Sequence, residues 1–149
     1  QLTIPQPEPP QQFFQHIAAE KNSWFVLVGD IGITYLTTII PGVAAELHVI
    51  FWDQRLPIDR APLIQAVVET AFRRFDLQRI FVRVPQHHHK TSGNIINNRP
   101  LVRFYKNVGF TVEGKLRRAM PGPRRFFDVE ILGILPSEAT WQHPMISSE

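Results

Sequence analysis

The segment FWDQRLPIDRAP (51–62) contains the residue types of a phosphate-binding loop. It follows an apolar run and leads into a predicted helix, where free backbone N–H groups and the helix dipole attract negative charge. Arg55 and Arg60 add two side chains that bind phosphate through charge-assisted hydrogen bonds. The segment has no glycine, the residue that lets a backbone approach a phosphate closely, and Pro57 and Pro62 each remove an amide donor. The side chains therefore favour an anion site, whereas the backbone argues against one.

Glu46 and His48 are candidates for general acid–base chemistry. They lie two residues apart in AAELHVIFW (44–52), a predicted strand, so their side chains share one face. A carboxylate or an imidazole at such a position can take a proton from an incoming group, directly or through water. Polar alternation on a solvated sheet face gives the same pattern, and this alternative stays open.

The three histidines at 87–89 do not predict a metal site. Consecutive side chains point in different directions, and neither a second histidine at helical spacing nor a carboxylate accompanies them. The chain also contains no cysteine, which excludes thiolate zinc sites and disulfides. We expect a loop at 87–94 and no bound metal.

Composition indicates a folded domain of 149 residues with 44% hydrophobic and 19% charged residues. No apolar run approaches the roughly 20 residues of a membrane helix, and no signal-peptide pattern is present. We therefore expect a cytoplasmic location, or a place in a particle assembled in the cytoplasm, and no membrane contact. The chain begins with Gln1, which is consistent with processing or with excision from a longer polypeptide.

Basic residues are concentrated in one half of the chain. Thirteen of the 16 Lys and Arg residues lie between Arg73 and Arg125, where only Asp76 and Glu113 oppose them. Such a half suits a polyanionic partner, whether cofactor phosphates, nucleic acid or an acidic protein, although a solvated basic face is an equal alternative. Nucleic acid is the less favoured partner because no helix-turn-helix or zinc-finger signature is present.

Hydrophobic periodicity predicts a mixed α/β fold, a central mixed sheet with flanking helices. Asn98 as N-cap, Pro100 in the first turn and Gly109 at the C-terminal cap predict a helix over 99–107. The clearest predicted helix follows the segment 51–62. Its apolar face consists of Leu63, Ile64, Val67, Val68, Ala71, Phe72 and Phe75.

The remaining elements complete one domain over residues 13–149. A leader rich in proline and glutamine spans 1–12, and we expect its residues 2–4 to form a short first strand. A short helix is predicted at 13–21, and strands are predicted at 24–29, 32–40, 44–52, 79–84, 110–118 and 124–135, the last two separated by a turn at 120–123.

The segment NRPLVRFYKNVGFTVEGKLRRA (98–119) resembles the GNAT acetyltransferase superfamily, especially the branch acting on protein N-termini and small amines. FDVEILGIL (127–135) is similar to the last strand of that branch, and AAELHVIFWD (44–53) to the strand before its acyl-CoA loop. The likeness extends over nearly all the chain from residue 24. The signature residues are Tyr105, Gly109, Phe110, Glu113 and Gly114.

The resemblance implies an N-acetyltransferase that moves an acetyl group from acetyl-CoA to an amine in a ternary complex. Tyr105 would then be the general acid that protonates the departing thiolate, and Glu46 or His48 the general base. Asn98 would lie near the cofactor arm. Packing of Tyr105 in an amphipathic helix and simple helix capping by Asn98 are the alternatives.

The same resemblance places the pyrophosphate of acetyl-CoA at the amides around 58–64, including those of Ile58 and Leu63, with Arg55 and Arg60 as side-chain donors. The glycines of the family pattern are absent in either register, so we expect weak acetyl-CoA binding or none. Leu101 stands where the family favours alanine. These departures support a second hypothesis, a catalytically silent GNAT-fold module with protein partners in a larger protein or an assembly such as a virus particle.

Overall fold

The computed structural model describes residues 22–52 and 59–141. The following predictions lie outside the described residues: the leader 1–12 with its strand 2–4, the helix 13–21, and the positions of Arg55 and Ile58.

Within the described ranges the chain forms eight strands and two helices in a mixed α/β order. The elements are β1 (Trp24–Val28), β2 (Gly32–Ile40), β3 (Ala44–Phe51), α1 (Ala61–Phe75), β4 (Arg79–Pro85), β5 (His87–His88), β6 (Ile95–Ile96), α2 (Arg99–Val108), β7 (Thr111–Pro121) and β8 (Phe126–Ile134), followed by a short 3₁₀ turn (Pro136–Glu138). Neither described helix is long and apolar enough to cross a membrane.

Six strands form one sheet in the order β1-β2-β3-β4-β8-β7. All neighbours are antiparallel except β3 and β4, which are parallel and are connected through α1. The paired residues of β3 and β4 run from Ala44 opposite Arg79 to Glu46 opposite Phe81 and extend no further among the described residues. The two strands therefore separate toward their carboxyl ends, as the crossover helix predicts.

Helix α1 packs on one face of the sheet through the predicted periodic stripe. Ile64, Val68 and Ala71 are fully buried, and burying such side chains stabilises the fold by roughly 1.5–3 kcal/mol for each large aliphatic one. The prediction for Leu63 is wrong, since its side chain is 37% exposed, whereas Ala61 is buried. At about 100° per residue, Leu63 lies far from the centre of the stripe and Ala61 lies close to it.

Helix α2 begins and ends as the sequence predicts. The Asn98 side-chain oxygen accepts a hydrogen bond from the Leu101 N–H at 3.3 Å, which confirms the N-cap. Gly109 has a φ of +132° and bonds back to the Tyr105 and Lys106 carbonyls, which confirms a glycine cap. A Cβ at this position would lie 2.8 Å from the Trp141 ring, so glycine is required for space as well.

Two predictions of irregular structure need correction. The predicted loop at 87–94 contains the short strand β5, paired with β6. Strands of two residues are too short to show the alternation of apolar and polar residues that predicts a strand. The turn between β5 and β6 contains Gly93, which has a φ of +71° and whose N–H donates a hydrogen bond to the His89 carbonyl at 2.9 Å. The turn predicted at 120–123 lies instead at 122–125, because Met120 and Pro121 still pair across to β8.

Candidate active site

A polar cluster lies on the sheet face opposite α1, next to the point where β3 and β4 separate. Tyr35 of β2 lies opposite His48 of β3, and Thr37 lies opposite Glu46. Residues directly opposite in register point to the same face. Arg83 joins them because it lies two residues after the β4 partner of Glu46.

Glu46 is buried and is held by one arginine. Its side chain accepts hydrogen bonds from Arg83 Nε to Oε1 at 2.6 Å and from Arg83 Nη2 to Oε2 at 3.0 Å. This bidentate arrangement is the strong form of carboxylate recognition, and it fixes the orientation of the carboxylate. The Arg83 side chain is itself 46% exposed, so the guanidinium also faces the surface of the site.

His48 is positioned by three neighbours. Its Nε2 lies 2.9 Å from Thr37 Oγ1 and 3.9 Å from Glu46 Oε1. Its ring stacks on the Tyr35 ring at 4.6 Å between centroids and 8° between planes. Because a hydroxyl both donates and accepts, Thr37 can bond to the imidazole in its neutral and its protonated form. An imidazolium at this position would be close to the Glu46 carboxylate.

Tyr105 reaches this cluster from α2, although its side chain is 4% exposed. Its ring packs edge-on against Phe104 and Phe110 at 5.4 Å and 5.6 Å between centroids. Burial raises the pKa of the Tyr105 phenol well above its ordinary value, and the nearby Tyr35 and Glu46 raise it further. The phenol is therefore protonated, as an acid must be, but it is a weaker acid than a solvated tyrosine.

Three residues of this cluster were missed by the sequence reasoning: Arg83, Thr37 and Tyr35. Burial, and next the charge of Glu46, raise the pKa of Tyr35. Alternation in RIFVRV (79–84) indicated that Arg83 lies on one face of a strand. The alternation did not indicate that the neighbouring strand β3 places Glu46 next to Arg83.

The N-terminus of α1 carries a carboxylate where an anion site needs donors. The Asp59 side chain accepts a hydrogen bond from the Ala61 N–H at 3.1 Å. Pro62 has no N–H, and the Ile64 N–H bonds to the Arg60 carbonyl at 3.3 Å. Of the first-turn positions, Ala61 and Ile64 thus donate to groups of the described chain and Pro62 offers no donor.

The other cofactor candidates serve visible structural roles. The Arg60 guanidinium carbon lies 5.2 Å from the centroid of the Phe51 ring at the end of β3, a cation–π distance. Asn98 caps α2, as described above. Their contacts with a cofactor stay predictions. Within 22–52 and 59–141 no group of three or more metal-ligating side chains is present.

Comparison with solved structures finds this fold in spermidine N-acetyltransferases. A chimera of SpeG from Vibrio cholerae and hSSAT matches with a TM-score of 0.68 at 21% identity, covering 87% of this chain and 79% of that one. SpeG from Vibrio cholerae in complex with manganese ions matches with a TM-score of 0.65 at 23% identity, covering 85% and 73%. A dodecameric form of the Vibrio cholerae enzyme gives 0.64 at 20% identity, covering 87% and 74%. No protein-family model and no curated protein sequence matches the chain.

These matches confirm the architecture that the segment 98–119 suggested. The separation of the parallel pair β3 and β4 and the position of Tyr105 on α2 both fit the fold that the segment implies. At identities of 20–23% the likeness transfers the fold and no more. The chain is a mixed α/β domain with the fold of the GNAT acetyltransferases.

Proposed function

We propose that this protein is an acyl-CoA-dependent N-acetyltransferase that transfers an acetyl group from acetyl-CoA to an amine. The observation that carries the proposal is the Glu46–His48 pair at 3.9 Å beside the separation of β3 and β4 in a GNAT fold, with Tyr105 of α2 near enough for the Glu46 charge to raise its pKa. In the reaction the amine nitrogen attacks the acetyl carbonyl carbon and the carbon–sulfur bond breaks. The amine loses one proton and the departing thiolate gains one.

His48 is the proposed proton acceptor. Both oxygens of Glu46 are bonded to Arg83, so protonation of Glu46 would weaken that ion pair. Proton transfer to His48 instead creates an imidazolium 3.9 Å from the Glu46 carboxylate, which stabilises it. Glu46 is therefore proposed as the charge partner of the base, and Tyr105 as the donor to the thiolate.

Acetyl-CoA fits the described residues only in part. The Leu63 N–H and the Arg60 side chain support pyrophosphate binding, whereas the Asp59 carboxylate at the same helix end opposes it. We therefore propose weak binding of the co-substrate, with Arg55, Ile58 and Asn98 as further contacts.

The acceptor is proposed to be an amine of low positive charge. The matched structures are named for spermidine, a polycation. In this chain Arg83 binds both oxygens of the buried Glu46 carboxylate beside the proposed base, so this ion pair has no net charge. A polyamine would therefore gain no charge attraction from Glu46 over a monoamine or a peptide N-terminus.

Calorimetric titration of acetyl-CoA, followed by an assay of free thiol with a panel of amines, tests the proposal. We expect measurable binding and release of CoA that depends on the amine. The second hypothesis, a catalytically silent module, receives no support from the matched acetyltransferases. It would replace the proposal if no amine gave CoA release at acetyl-CoA concentrations that saturate the protein.

A further inference from the structure

The β7–β8 hairpin extends beyond the body of the sheet. Strand β4 ends at Pro85, which pairs with Val129 of β8, and Val129 pairs with Leu116 of β7. Residues 117–128 therefore lie past the end of β4, where Gln86 and His88 contact Asp128 and Phe127 but no further strand of the described residues pairs with the hairpin. This outer part is a two-stranded arm.

Five exposed cations lie on the arm or next to it within eleven residues. Arg117, Arg118, Arg124 and Arg125 belong to the arm, and Lys115 lies two residues before it. None of them forms an ion pair with another described residue, in contrast with Arg79 and Arg83 of β4, which bind Glu113 and Glu46.

One carboxylate, Asp128, lies on the same surface. Its Oδ1 accepts a hydrogen bond from the Arg118 backbone N–H at 2.9 Å, and its single negative charge offsets at most one of these cations. The remaining like charges repel each other, and a polyanionic ligand would relieve that repulsion.

A hollow of about 550 Å³ lies along the arm. Its lining includes Arg118, Arg124, Arg125 and the Phe126 ring, which is 51% exposed. Gln86 closes one side, because its side chain accepts from the Asp128 N–H at 2.9 Å and donates to Asn97 at 3.1 Å. The hollow thus brings guanidinium groups together with an accessible aromatic ring, and the hydrogen bonds of Gln86 fix one of its sides.

We propose that the β7–β8 arm binds single-stranded nucleic acid. Arginines that follow a phosphate backbone, together with an aromatic ring for base stacking, form the usual combination for such ligands. A protein partner would require an apolar centre, whereas the described large apolar side chains exposed here are Phe126 on the arm and Leu116 just before it. A duplex keeps its bases stacked inside and leaves none for the Phe126 ring. This proposal does not depend on the acetyltransferase function.

Fluorescence anisotropy with a labelled single-stranded RNA or DNA 20-mer tests the proposal. The arm variant Arg118→Gln/Arg124→Gln/Arg125→Gln is compared with Arg73→Gln/Arg103→Gln/Lys106→Gln, which makes the same charge change at exposed helix positions. We expect the arm variant to lose at least about tenfold in affinity. The slope of log affinity against log salt concentration should fall in magnitude by about 2, as for the loss of three phosphate contacts on a single strand. The control should lose less than about twofold.

Phe126→Leu separates stacking from charge. It should weaken binding by about fivefold or more without changing the salt slope, since one stacked base contributes roughly 1–3 kcal/mol. Circular dichroism verifies that the variants are folded. Equal losses in the arm and control variants, absence of binding, or tighter binding of a polyglutamate peptide than of the 20-mer would each overturn the proposal.

Discussion

The Glu46 carboxylate sits among three groups that each restrict it. Arg83 binds both oxygens, His48 lies 3.9 Å away, and the sheet leaves the side chain 7% exposed. A carboxylate held this way is costly to leave unpaired, because its charge has been taken out of water. The stability of the fold therefore depends on Arg83, and so does the proposed role of Glu46 as charge partner of the base.

We expect Arg83→Met to lower the free energy of unfolding by about 2 kcal/mol, since Glu46 would keep a buried charge without its partner. The half-exposure of Arg83 keeps the loss below that of a fully buried pair. Glu46→Gln in the same chain should restore part of it. Urea unfolding of the four proteins gives the coupling free energy, and a coupling of zero would contradict a stabilising ion pair.

Tyr105→Phe should lower turnover on the order of 10²-fold, the usual scale for the loss of one acid–base group, with acetyl-CoA affinity retained. The measurement is CoA release at saturating substrate, with Tyr35→Phe as a matched removal of a hydroxyl from the same cluster. Turnover equal to that of the wild type would assign Tyr105 to packing with Phe104 and Phe110.

The same tyrosine predicts a pH dependence of stability. Its pKa is raised in the folded protein, so folding retains the phenol proton that the unfolded chain releases near pH 10. This contribution is complete below pH 10 and is lost as the pH rises above it. Wild-type stability should then fall more steeply than that of Tyr105→Phe, by about 1.4 kcal/mol per pH unit, in urea unfolding above pH 10. Parallel curves would contradict the burial of the phenol.

At the scale of elements, the N-terminus of α1 is the feature that most weakens the proposed binding of acetyl-CoA. Helix α1 begins with one amide bonded to Asp59 and a proline in its first turn. The parallel strands beside it separate as acyl transfer would need. The strand separation thus suits the proposed acyl-CoA site, whereas the end proposed for the pyrophosphate carries negative charge.

Asp59→Asn should tighten acetyl-CoA binding about two- to fivefold, because it removes a like charge at the helix end and keeps a capping oxygen. Asp76→Asn is the matched control, since it makes the same change at the opposite end of α1, where the backbone is left-handed and asparagine is tolerated. Calorimetry measures both. An equal effect of the two variants would show a general charge effect rather than a local one.

Elements with a strong period were predictable from sequence, and contacts between elements were not. Helix α1 and the Asn98 cap follow from local signals that tertiary packing does not change. The hairpin of β5 and β6 has too few residues to show a period. The Arg83–Glu46 pair joins residues 37 positions apart, so it becomes visible only once the sheet order is known.

At the scale of the whole molecule, the chain is basic, and the positive charge is unevenly distributed along it. Its net charge is +3, and its basic residues lie mainly in the second half. A fold shared at about 21% identity leaves such surface properties free to differ.

We expect spermidine to be no better an acceptor in kcat/KM than a monoamine or a peptide N-terminus, because Arg83 neutralises the Glu46 carboxylate that would otherwise attract a polycation. Arg83→Gln should raise kcat/KM for spermidine relative to the monoamine, because it leaves the Glu46 charge unpaired, and added salt should reduce this gain. An assay of CoA release measures both effects. Spermidine as the best acceptor of the wild type would contradict a site without net charge.

The sheet order also determines when the chain can fold during its synthesis. Strand β8 comes after every other strand of the described chain, yet it lies between β4 and β7. Until Ile134 has left the ribosome, β4 has no partner on that side, and its buried residues Ile80, Val82 and Val84 have no β8 to pack beside. The sheet therefore closes late and over a long sequence separation, a topology that folds slowly and exposes strand edges on the way. A nascent chain of this protein therefore completes this sheet only after Ile134 has been made.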